Sequence, residues 1–187
     1  MKLVMATADF LVAGRTFAGF PLLLDDDGWP MEPAQSFLWH TLITHGGVES
    51  TLTWEAYGRR LYDYFAFLAA NELQWDEAQK PHGLSVVMRY RDWSLGELAL
   101  SPNTVNKRLN LIVRFYDWCK RQGYITQLPF GVRDVRTPAH QGILAHVDRS
   151  GGVVQKPAIM ARERKATIKL LTKTQVRQCL GTQLDPS

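Results

Sequence analysis

The residues best able to do chemistry in this chain lie at helical spacing. Asn103, Lys107, Asn110 and Arg114 recur at steps of four, three and four residues, so a helix through them carries them as one stripe. Arg121 extends the stripe, Asp117 interrupts it, and Asn106 and Arg108 sit beside it. Lys and Arg neutralise phosphates, and an Asn amide can pair with the edge of an adenine. A helix of this kind suits the major groove of a duplex, with Asn103, Asn106, Lys107, Asn110 and Arg114 as its candidate DNA contacts. Any amphipathic helix needs a polar face, but the sign of the charge argues for more than solvation. From Ser101 to Tyr124 one acid, Asp117, stands against five basic residues. Arg59 and Arg60 are further candidate contacts, against the alternative that they pair with Glu55 or Asp63; Thr51 is another, against a role in helix capping. A basic run of Arg162, Arg164, Lys165 and Lys169 could follow a phosphate backbone.

Other chemistries find little support. His40 and His45 are five residues apart and lack a third ligand, while His82, His140 and His146 fall in expected loops without a partner carboxylate at useful spacing. Gly14, Gly19 and Gly28 do not build a phosphate loop followed by Lys-Ser/Thr, and there is no nucleophile elbow. No metal and no cofactor are expected. Cys119 and Cys179 read as free thiols in a reducing cytoplasm. No apolar run reaches the ~18–20 residues of a membrane span, and Met1-Lys2-Leu3-Val4 lacks the make-up of a secretory signal. Charge divides the 187 residues unevenly: residues 1–80 carry 5 basic and 11 acidic side chains, residues 81–187 carry 17 and 7. A basic C-terminal half fits a polyanionic partner.

The elements that must position these groups follow from periodicity and punctuation. Residues 8–24 read as short strands around a turn, and Asp25-Asp26-Asp27-Gly28 as a further turn. A helix is expected from about Ala34 to His45, stopped by Gly46-Gly47. Tyr57, Leu61, Tyr64, Phe65 and Leu68 recur at three- and four-residue steps and predict a helix over Thr51–Ala70. A shorter one is expected from about Ser85 to Leu98, with Val86, Val87, Tyr90 and Trp93 as its apolar positions. Ser101-Pro102 has the form of an N-cap and first turn, and Gly123 that of a C-terminal stop. Between them Val105, Leu109, Ile112, Tyr116 and Cys119 make an apolar stripe that can close a helical bundle with the two preceding helices. Residues 137–160 hold Pro138, Gly142, Gly151, Gly152 and Pro157 without a sustained period and read as a linker or irregular excursion. Thr172-Lys173-Thr174-Gln175 has the form of a capping box, so a new helix is expected from residue 173.

Three of these segments, taken in order, resemble the tyrosine recombinase (phage integrase) family. The stretch Thr53-Trp54-Glu55-Ala56-Tyr57-Gly58-Arg59-Arg60-Leu61-Tyr62-Asp63-Tyr64-Phe65-Ala66-Phe67-Leu68 is similar to the first core-binding helix of that family. Leu100-Ser101-Pro102-Asn103-Thr104-Val105-Asn106-Lys107-Arg108-Leu109, continuing through Phe115-Tyr116-Asp117-Trp118 to Gly123-Tyr124-Ile125, resembles its last long core-binding helix. Leu171-Thr172-Lys173-Thr174-Gln175-Val176 resembles the opening of its catalytic domain. The resemblance implies a mainly α, SAM-like core-binding bundle with a small N-terminal strand and helix appendage. It also implies a job: gripping duplex DNA at a recombination site, beside other recombinase protomers, in the cytoplasm at the nucleoid. In the family a separate catalytic domain supplies a Tyr nucleophile, and its first catalytic Arg would lie beyond Ser187, so no catalytic residue is assigned here and the chain is expected to bind DNA at most weakly and not to cut it. The expected division is an appendage at 1–47, the core-binding domain at 48–136, and a linker with the start of the catalytic domain at 137–187. The alternative is a helical module that binds protein and not DNA.

Overall fold

The structure, a computed structural model, describes residues 1–45, 50–77, 83–136 and 153–162. Four helices dominate the described residues. α1 spans Ala34–Trp39 and continues as a π-helical turn over His40–Thr44; α2 spans Thr51–Ala70, α3 Val86–Gly96 and α4 Pro102–Gln122. Small antiparallel pairs flank them: β1 (Lys2–Met5) with β4 (Pro21–Leu24), β2 (Leu11–Val12) with β3 (Arg15–Thr16), and β5 (Val132–Arg136) with β6 (Val153–Pro157). The chain is thus mainly α, with a small strand appendage at its N-terminus.

Local chemistry accounts for the limits of α4. The Ser101 hydroxyl accepts from the Thr104 amide at 3.2 Å, Pro102 occupies the first turn, and Gly123 takes the left-handed conformation (φ 82°) that ends the helix. With Gly123 so placed, the Tyr124 amide turns back to donate to the Cys119 carbonyl at 2.9 Å. Ser85 caps α3 in the same way, accepting from the Met88 amide at 3.2 Å.

Three fully buried tyrosines, Tyr64, Tyr90 and Tyr116, tie α2, α3 and α4 together. The Tyr116 hydroxyl donates to the Trp75 carbonyl at 2.6 Å, which leaves Tyr64 to donate to Tyr116 at 2.7 Å. Tyr90 donates to the Asp63 carboxylate at 2.5 Å. Each phenol therefore satisfies its polar tip while its ring fills the core. Burial, as the leading cause, pushes all three hydroxyls well above their ordinary titration range.

The N-terminal strands sit on the bundle and share its core. Gly58 of α2 lies so close to β4 that a Cβ there would stand 2.4 Å from Pro21 Cβ, so only glycine permits this approach. The buried Gln35 side chain accepts from the Leu23 amide at 2.9 Å and donates to the Pro21 carbonyl at 3.3 Å, fastening β4 to α1. Phe20 packs edge-on against Trp39 and Trp54.

Two expectations need correction. The reading of 137–160 as linker fails at its end: Val153–Pro157 is a strand in register with β5, from Val132 opposite Pro157 to Arg136 opposite Val153. β5 itself, Val-Arg-Asp-Val-Arg, shows no alternation, and the pairing joins segments far apart in sequence, so no local period marks either strand. Residues 137–152 lie outside the described residues. The second correction concerns β1, which pairs with β4 although only residues 8–24 read as strand. The Gly46-Gly47 stop and the expected helix from residue 173 also fall outside the described residues.

Candidate nucleic-acid interface

α4 presents the expected stripe to solvent. Asn103, Lys107, Asn110 and Arg114 are all exposed, and Lys120 and Arg121 continue the basic surface toward the C-terminal end. At 1.5 Å of rise per residue, the stretch from Asn103 to Arg114 is about 16 Å long, comparable with the ~12 Å width of a B-DNA major groove. Among the described residues, no carboxylate forms an ion pair with Lys107, Arg114 or Arg121. Arg114 donates instead to the Tyr57 hydroxyl of α2 at 2.7 Å, with its guanidinium 5.6 Å from the ring centroid. This contact orients the cation without neutralising it. Asp117, the one acid of the stripe, is half-buried; burial raises its carboxyl above the ordinary range, against the pull of Arg121 and Lys120.

Asn106 does not join the stripe. It is 8% exposed, and its amide makes a two-way clip with the chain beyond β6: Nδ2 donates to the Ala161 carbonyl at 3.0 Å and the Ala161 amide donates to Oδ1 at 2.8 Å. This corrects the expectation that Asn106 reads a base, because donor and acceptor are both engaged by backbone. Arg108 is similarly tied, to Asp63 of α2 through a short ion pair and to the Tyr90 hydroxyl at 3.3 Å. Ile159, 1% exposed, is buried just before the clip, and Arg91 of α3 donates to its carbonyl at 3.3 Å.

α2 contributes less than its sequence promised. Arg59 is exposed but paired with Glu55 one turn earlier, at 2.6 Å. Arg60 is half-buried and, with Arg59 and Arg108, borders a cleft shared with Leu3 and Met5 of β1. Thr51 is exposed at the first turn of α2, its methyl 3.2 Å from where a Cβ on Gly19 would stand. The contact that the sequence did not disclose is Tyr57: its spacing marks it as core, yet its hydroxyl serves Arg114. In the basic run, Arg162 is exposed, while Arg164, Lys165 and Lys169 lie outside the described residues, as do His82, His140, His146 and Cys179. His40 and His45 do meet, with ring centroids 4.2 Å apart. Among the described residues there is no cluster of three or more groups able to hold a metal, and no helix is long and apolar enough to cross a membrane.

Residues 38–123 match the family model of the phage integrase N-terminal SAM-like domain. The match begins inside α1 and ends at the glycine that closes α4, so it takes in the bundle and the stripe together. No curated protein and no solved structure matches the chain. The matched domain is the one that, in integrases, does not carry the catalytic residues. With a helical bundle, an exposed cationic stripe and this match, residues 38–123 form a phage integrase N-terminal SAM-like domain, a domain of the tyrosine recombinase (integrase) family.

Proposed function

We propose that the chain binds duplex DNA through the exposed stripe of α4, as the core-binding part of a site-specific recombinase. The observation that carries this reading is the state of four side chains: Asn103, Lys107, Asn110 and Arg114 are on one face, exposed, and not neutralised by any carboxylate among the described residues. Lys107 and Arg114 supply phosphate contacts, while Asn103 and Asn110 are placed to reach base edges. Thr51 and Arg60 of α2 are secondary phosphate contacts, and Arg59 becomes one when it releases Glu55. Residues 48–136 form the DNA-gripping unit, and the partners of the full assembly are a recombination site and further recombinase protomers.

Fluorescence anisotropy with a labelled duplex tests this directly. Lys107→Ala with Arg114→Ala should weaken binding by roughly tenfold or more and lower the slope of log affinity against log salt by about one for each phosphate that is no longer neutralised. An unchanged slope in the double variant removes α4 from the interface.

A further inference from the structure

The cleft beyond the C-terminal half of the stripe holds a second cationic cluster. It encloses about 550 Å³ between the π-helical turn after α1 and the last turns of α4, with His40, His45, Arg114, Asp117, Trp118 and Arg121 among its walls. The π-helical turn explains why two imidazoles meet there. In an α-helix, residues five apart diverge by about 140°. Here the His45 amide donates to the His40 carbonyl at 2.9 Å, the five-residue bond of a π-turn, and the two rings lie with centroids 4.2 Å apart, tilted by 35°. Turns of this kind are rare and recur at functional sites. From the opposite wall, Arg114 and Arg121 are seven residues apart and therefore share one face of α4. Neither forms an ion pair among the described residues. The indole N–H of Trp118, another wall residue, has no acceptor among the described residues.

We propose that this cleft is a phosphate-binding site, in which Arg114 and Arg121 provide fixed positive charge and His40, in contact with His45, provides charge that depends on protonation. A metal cation is disfavoured by two guanidinium groups, and an apolar ligand by the density of charge. An oxyanion accepts from guanidinium and from imidazolium alike. The groups that face the imidazoles are each other, Arg114, Asp117 and Arg121 from α4, and Tyr57 from α2. Burial first, and then the charges of His45 and Arg121, lower the proton affinity of His40, so the cleft holds it neutral over more of the pH range. A bound oxyanion favours the imidazolium and reverses that shift. Affinity is therefore highest at low pH and falls as pH rises through the histidine range, about 5 to 8.

The test follows the imidazole resonances of His40 and His45 in the full chain by NMR while inorganic phosphate is added at constant ionic strength. Both should move saturably, and Arg121→Ala should weaken the apparent affinity at least fivefold. Sulfate, whose charge is constant over this range, should bind more tightly as pH falls. Equal movement with matched sodium chloride, or an affinity unaltered by Arg121→Ala, overturns the proposal. A duplex added to the phosphate-loaded protein then identifies the source of the group. Displacement of phosphate assigns the cleft to the DNA backbone, and simultaneous binding assigns it to a free phosphorylated ligand; both retain the site. The titration with inorganic phosphate does not depend on α4 contacting DNA, so the cleft and the stripe can fail separately.

Discussion

Residues of the same kinds, a turn or less apart along α4, have opposite fates. On one face Lys107, Asn110 and Arg114 are exposed and free of carboxylates among the described residues. Beside that face Asn106 is clipped to Ala161, and farther round the helix Arg108 is held by Asp63 and Tyr90. Residue type does not separate Asn106 from Asn110, nor Arg108 from Lys107. What separates them is the element that packs alongside: the segment after β6 covers Asn106, α2 and α3 supply the acid and phenol that hold Arg108, and nothing comparable among the described residues covers the stripe. A buried amide with both ends satisfied serves the fold, whereas an exposed one can exchange water for a ligand.

The difference disappears altogether if the bundle unfolds, and alkali should do this. Tyr64, Tyr90 and Tyr116 are held neutral by burial, with folded-state titration raised above the ordinary 10.0. The stability they contribute is complete below that value and is lost as pH rises from it toward the folded-state values. Urea midpoints should be flat approaching pH ~10 and drop steeply above it; a drop that begins near neutral pH would contradict this. Removing the anchor of Arg108 is the next largest effect. Asp63→Ala leaves Arg108 and the Tyr90 hydroxyl without their acceptor, and because the pair is partly solvated the loss should be about 2–3 kcal/mol in urea denaturation. The affinity of the remaining folded protein for DNA should be close to that of the parent chain. Asn106→Ala is milder, about 1–2 kcal/mol, and local: the Ala161 amide should lose protection from hydrogen exchange while the amides in the centre of α4 keep theirs. If Asn106→Ala weakened DNA binding as much as the change at Lys107 and Arg114, the division between the exposed and the anchored residues would be wrong.

Much of this was legible in the chain itself. The apolar period placed α2 at Thr51–Ala70, and the Ser101-Pro102 start and Gly123 stop placed both ends of α4, because caps and periodicity are local and obey local rules. The exposure of Lys107, Asn110 and Arg114 followed from the same period. The rest depends on partners distant in sequence. Asn106 falls near the stripe by count, and only the return of the chain at Ala161 buries it. Tyr57 has the spacing of a core residue, and only the crossing of α2 over α4 brings its hydroxyl to Arg114. Gly58 looks like a weak point in a helix until Pro21 is set against it. The pairing of β5 with β6 has no alternation to announce it, and the meeting of His40 with His45 needs a π-helical turn that no sequence period encodes.

The sharpest single measurement is the set of Asn side-chain amide resonances during titration with a duplex. Those of Asn103 and Asn110 should shift progressively and saturate, while that of Asn106, locked to Ala161, should stay in place. Movement of Asn106 with Asn103 and Asn110 unchanged would contradict the assignment of the exposed stripe as the surface that meets DNA.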